Sequence, residues 1–134
     1  MSAVPVSLGA ITLFVQDCER SKEFYARVFD LSPVYEDENA AAFKFENTIV
    51  NLLRFSAAHE LVAPGAVAAP GAGSSFQLTI WVDDADAVCE ELASRGVTLL
   101  NGPLDRPWGL RTAAFADPDG HVWELAAEAK KEVA

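Results

Sequence analysis

Histidine, cysteine and methionine are scarce in this chain, and basic residues are outnumbered. Its 134 residues hold two His, two Cys and one Met, with 10 Lys+Arg against 20 Asp+Glu. Two cysteines do not make a disulfide framework, and Cys18 and Cys89 lack the close spacing of a metal-binding pair. Both lie on segments with helical spacing and are expected as buried free thiols. A net charge of −10 repels a phosphate backbone, which argues against nucleic acid as a partner and favours a cationic ligand. No apolar run approaches the ~20 residues that a membrane helix requires, so no membrane partner is expected. The start, MSAVPVSLGA, has neither the basic region nor the long apolar region of a secretory signal, and a cytoplasmic location is expected.

What is present is ordinary for a globular protein, with 51% hydrophobic and 22% charged residues. The length suits one domain, since domains most often run ~100–150 residues. Leu8 to Val15, rich in β-branched and aromatic side chains, reads as a strand covered on both faces. Asp17 stands where an N-cap belongs, Glu19 favours the positive helix end, and Phe24, Tyr25, Val28 and Phe29 follow at helical spacing. Pro33 blocks continuation. Strands are expected over 34–37, 41–46 and 49–55. The stretch 56–75, with Pro64, Gly65, Pro70, Gly71 and Gly73 among alanines, carries no periodicity and reads as a linker or mobile loop.

The pattern then restarts. Phe76 to Val82 reads as a strand, Asp84 as an N-cap, and Val88, Cys89, Leu92 and Ala93 as a helical stripe that Gly96 ends. A short strand over 97–100 and a proline-containing loop over 102–109 follow. Two last strands, over 110–115 and 121–126, flank the turn Asp117-Pro118-Asp119-Gly120. One shift places Thr12 on Thr79, Val15 on Val82, Asp17 on Asp84 and Glu23 on Glu90, with Phe14 on Trp81. The spacing is longer than that of solenoid repeats, so two fused modules are expected.

A βαβββ module used twice resembles the vicinal oxygen chelate superfamily, which comprises glyoxalases, dioxygenases and bleomycin-resistance proteins. The likeness rests on Ile11-Thr-Leu-Phe-Val-Gln-Asp17 with its helix, and on the restart Leu78-Thr-Ile-Trp-Val-Asp-Asp84. It rests also on Pro107-Trp-Gly-Leu-Arg111 running on to Asp117-Pro-Asp-Gly-His-Val-Trp-Glu-Leu125. The resemblance implies an α+β fold: a single domain over 1–134, with module one at 6–56, a loop at 57–75 and module two at 76–127. The strands would curl into an open cup with helices outside. It also implies a homodimer, in some members with modules paired between chains.

Metal-dependent members of that family hold one divalent ion with four inward side chains. Matched by residue, those positions fall on Ala10, Asn51, Gln77 and Glu124, of which Glu124 alone is a strong ligand. His121 precedes Glu124 by an odd number of residues on a strand, so the two point to opposite faces. Neither metal nor cofactor is therefore expected. The same alternation turns Thr12, Phe14, Asn51, Gln77, Thr79, Trp81 and Glu124 inward, with Ile49, Leu53 and Val122, and places Trp108 and Arg111 at the mouth. The candidate ligand-binding residues are thus Thr12, Phe14, Asn51, Gln77, Trp81, Trp108, Arg111 and Glu124, and no residue stands out as catalytic. Apolar and aromatic walls with a few polar groups suit a small molecule. A protein that binds or sequesters an aromatic or cationic compound is the first expectation. The alternative is an enzyme of the same superfamily, either metal-free with Glu124 as acid or base, or a divalent-metal lyase or dioxygenase.

Overall fold

The computed structural model describes residues 3–130 and divides into two compact units, which meet in sequence at Pro70 and Gly71. In the first unit the order is β1 (Ala10–Val15), α1 (Cys18–Phe29), β2 (Tyr35–Glu36), β3 (Ala40–Lys44), β4 (Ile49–Arg54) and α2 (Phe55–Val62). In the second it is β5 (Gln77–Trp81), α3 (Ala85–Ser94), β6 (Leu99–Asp105), β7 (Leu110–Ala116) and β8 (Val122–Glu128). Each unit forms a four-stranded sheet, ordered β1-β4-β3-β2 in one and β5-β8-β7-β6 in the other. In both sheets the first strand runs parallel to the last, and the remaining pairs are antiparallel. This is the α+β, tandem βαβββ arrangement that the repeat implied.

Helices α1 and α3 are started and stopped by named residues. Asp17 accepts from the Arg20 N–H at 3.1 Å, and Asp84 from the Ala87 N–H at 3.1 Å, so both expected N-caps form. Asp30, in the left-handed region at φ 52°, ends α1, before Pro33 can act. Gly96, at φ +82°, follows α3 where a left-handed residue lets the chain turn back. Helix α1 buries Cys18, Ser21, Tyr25 and Val28, a stripe at helical spacing against β3 and β4. Helix α3 buries Ala85, Cys89 and Leu92 against β6, β7 and β8.

Strand alternation divides each sheet into a helix-covered face and an open face. Leu13, Val15, Ala41, Phe43, Val50 and Leu52 are buried in the first unit, and Ala113, Phe115, Trp123, Leu125 and Ala127 in the second. Trp123 stacks on Phe115 with centroids 6.4 Å apart, which places it in the core.

Three expectations need correction. Strand β1 is not covered on both faces: Ala10 and Thr12 are exposed while Leu13 and Val15 are buried. Residues 55–62 form a helix rather than a loop, because the helix-favouring Ala57 and Ala58 lie in a segment that seats Ala58, fully buried, near β4 and β1. The strand expected over 97–100 is β6, which runs on through Asp105 with register shifts on either side of Asn101. Pro103 is accommodated at that irregular stretch, where the ladder is already broken. Cys18 and Cys89 are free and buried, and burial first, then a neighbouring acid (Glu19 or Asp86), pushes each thiol pKa up.

Candidate functional site

The open face of each sheet carries the same three-residue rung. In the first sheet Thr12 pairs with Asn51, and Asn51 with Ala42. In the second Thr79 pairs with Glu124, and Glu124 with Ala114. The Asn51 Nδ2 donates to Thr12 Oγ1 at 3.3 Å, whereas the Thr79 hydroxyl donates to Glu124 Oε1 at 3.0 Å. The threonine therefore accepts in one sheet and donates in the other, as the chemistry of its neighbour requires.

Around Thr12 and Asn51 the first face carries Ala10 and the half-buried Phe14, Ile49 and Leu53. The second face is more polar. Gln77, Thr79 and Trp81 lie in the open along β5, and Trp81 is 71% exposed although it is a large aromatic within a strand. Half-buried Val122 and Glu124 stand beside them on β8.

Arg111 does not join this face. Its position on β7 has the parity of Phe115, and its guanidinium meets Asp86 of α3 through two bonds, of 2.9 and 3.0 Å. A third bond, of 3.1 Å, goes to Asp105. These partners raise the Arg111 pKa further and lower that of Asp86. Arg111 thus ties α3 to β7 and the end of β6 on the helix side, and Glu124 is bonded to Thr79 instead.

The arginine that does reach the open face is Arg106, which the sequence reading passed over. Its N–H bonds the Leu110 carbonyl at 2.7 Å, which continues the β6–β7 ladder by one residue beyond Asp105. Its Nε donates to Thr112 Oγ1 at 2.9 Å and its Nη2 to Asn101 Oδ1 at 3.2 Å. Thr112 and Asn101 share the face of Ala114 and Glu124. The guanidinium also lies 5.9 Å from the ring centroid of Trp108, which is 66% exposed. Arg106 has even spacing from Leu110 and Thr112, a signal that Pro103, Pro107 and Gly109 mask because they read locally as a loop.

His121 bonds the Asp117 carboxylate through Nδ1 at 2.7 Å, away from Glu124. Burial opposes its charge, but the bond to Asp117 and the charges of Asp117 and Asp119 outweigh burial and raise its pKa. A separate cavity of about 340 Å³ in the first unit is lined by Gln16, Asp17, Cys18, Glu19, Glu38 and Arg54, and contains none of the candidate residues.

The sequence model of the glyoxalase/bleomycin resistance protein/dioxygenase superfamily matches residues 7–125. This chain belongs to that superfamily. The YraH protein of Bacillus subtilis (strain 168) is 35% identical to it over 125 residues, covering 90% of this chain and 97% of that one. Similar solved structures include the following two. A glyoxalase/bleomycin resistance protein/dioxygenase from Nocardioides aligns with a TM-score of 0.85 at 22% identity, covering 99% of this chain and 93% of that one. A glyoxalase-related enzyme from Fulvimarina pelagi aligns with a TM-score of 0.78 at 27% identity, covering 92% and 89%.

The superfamily includes metal-dependent members, and the donor set here does not fit a divalent transition ion. Ala10 has no donor, Asn51 and Gln77 are neutral amides, and the Glu124 carboxylate holds the Thr79 hydroxyl. Among the described residues no three His, Cys, Asp or Glu side chains form a ligand group.

Proposed function

We propose that this superfamily member binds a small molecule with an aromatic body and a cationic group on the open face of its second sheet, without a metal. The observation that carries the reading is Trp81: a strand indole at 71% exposure, in the same row of alternating positions as Gln77 and Thr79, with the Glu124 carboxylate one strand away. An exposed ring beside a carboxylate is suited to a cation with an apolar body, which stacks on the ring and pairs with the acid. The first sheet offers Thr12, Phe14 and Asn51 as a second, neutral surface of the same kind. An acidic surface, at net charge −10, raises the local concentration of such a cation. Binding of this kind sequesters by mass action and requires no chemistry.

Phenethylamine is the simplest probe with both groups. Titrated by calorimetry or followed by the melting temperature, it is expected to bind, and Trp81→Ala and Glu124→Gln are each expected to weaken it about tenfold. Arg111→Gln, on the helix side, is expected to leave the affinity unchanged. Binding that neither Trp81→Ala nor Glu124→Gln weakens would put the ligand elsewhere and end the proposal.

A further inference from the structure

The bond between Thr79 and Glu124 fixes which of the two gives a hydrogen. A carboxylate oxygen has none to give, so the 3.0 Å bond from Thr79 Oγ1 to Glu124 Oε1 uses the hydrogen of the Thr79 hydroxyl. A threonine hydroxyl has one hydrogen and two lone pairs. With that hydrogen committed, the Thr79 oxygen is an acceptor, and beside it stands a second acceptor group that carries the charge. Thr79 is exposed and Glu124 half-buried, so the pair lies at the surface of the sheet.

The matching rung of the first sheet is wired the other way. There Asn51 Nδ2 donates to Thr12 Oγ1 at 3.3 Å, and Thr12 keeps its own hydrogen to give. Corresponding threonines therefore belong to a pair of acceptors in one sheet and to a mixed pair in the other.

The acceptor pair is close to the exposed indole. Thr79 and Trp81 are alternate residues of β5 on one face, roughly 7 Å apart along the strand. Glu124 is the register partner of Thr79 on the adjoining strand. A ring stacked on Trp81 can thus bring a cationic group on a short chain to Thr79 and Glu124 together. Two kinds of cation would answer differently. A quaternary ammonium has no N–H and is held by charge and ring contact alone. A primary ammonium has three N–H donors, and taking them out of water is unfavourable unless acceptors replace it. Here one hydrogen has the Thr79 oxygen to go to and another the Glu124 carboxylate.

We infer that the cationic group recognised on this face is a primary ammonium, and that Thr79 is the residue that selects it over a quaternary one. The inference rests on the binding reading above and deepens it. Trp81 and Glu124 supply affinity for a cation of either kind, and Thr79 reads its N–H groups.

The test titrates the full chain by calorimetry with phenethylamine and with trimethylphenethylammonium, its quaternary analogue. The native sequence is expected to bind the primary amine at least about tenfold more tightly. Thr79→Val, of nearly the same shape, is expected to cut that preference at least about threefold. Thr79→Ser, which keeps the hydroxyl, is expected to preserve it. The preference is a ratio measured on one variant at a time, so a change in folded fraction cancels from it. If the quaternary probe binds as tightly as the primary amine, the selection is wrong while the cation site stands. The same holds if Thr79→Val leaves the preference intact or weakens both probes by one factor. If neither probe binds the native sequence, both readings fail.

Discussion

At the scale of single residues, His121 and Asp117 make the clearest statement about pH. Asp117 is buried and accepts the N–H groups of Asp119 at 3.0 Å and His121 at 2.8 Å, while its second oxygen holds the imidazole. The His121 pKa is raised in the folded protein above its ordinary 6.5. A raised folded-state value means that the native state holds the proton more tightly, so this contribution to stability is complete below pH 6.5 and disappears as pH climbs through the folded value. Urea midpoints measured between about pH 5.5 and 8.5 should therefore fall with pH more steeply in the native sequence than in His121→Asn. Equal slopes would show that the imidazole titrates alike in both states.

At the scale of elements, the informative positions are where a strand or helix begins, ends or bends. Asp84→Ala removes the acceptor that starts α3 and should lower stability by about 1 kcal/mol, read as a shift in the denaturation midpoint. Gly102 lies at the irregular part of β6 with φ +84°, and a Cβ placed there would come within 2.4 Å of the Thr112 carbonyl and 2.8 Å of the Ala113 Cα. Both obstacles are backbone and cannot step aside. Gly102→Ala should destabilise by at least about 2 kcal/mol, and it should loosen the neighbouring Thr112–Arg106 bond, visible in amide exchange of β7.

These positions also show what was legible beforehand. Asp17, Asp84 and Gly96 announce helix ends through chemistry that acts within one turn, so the sequence displays it directly. The open-face parity of Thr12, Asn51, Thr79 and Glu124 follows from strict alternation and was equally visible. Strand β6 was not, since Gly102 and Pro103 are loop signals locally and only the pairing with β7 makes them strand residues. The partners of Arg111 were hidden for the same reason. Asp86 is 25 residues away in sequence, and nothing in the chain announces that contact.

At the scale of the whole molecule, the chain consists of two compact units joined by a segment without helix or strand between Val62 and Gln77. That stretch is largely exposed and rich in alanine, glycine and proline. Brief digestion with elastase, which favours small apolar residues, should cut there first and yield two fragments identifiable by mass spectrometry. A first cut inside a strand or helix of either unit would contradict the division.

The two units share a threonine and an alanine on corresponding rungs and part company at the residue between, an amide at 51 and an acid at 124. The molecule therefore contains its own internal control. Whatever Glu124 confers by virtue of its charge is missing at Asn51, which stands on a matching rung between a threonine and an alanine. Exchanging the two side chains would move that property from one half to the other while composition and total charge remained as they are.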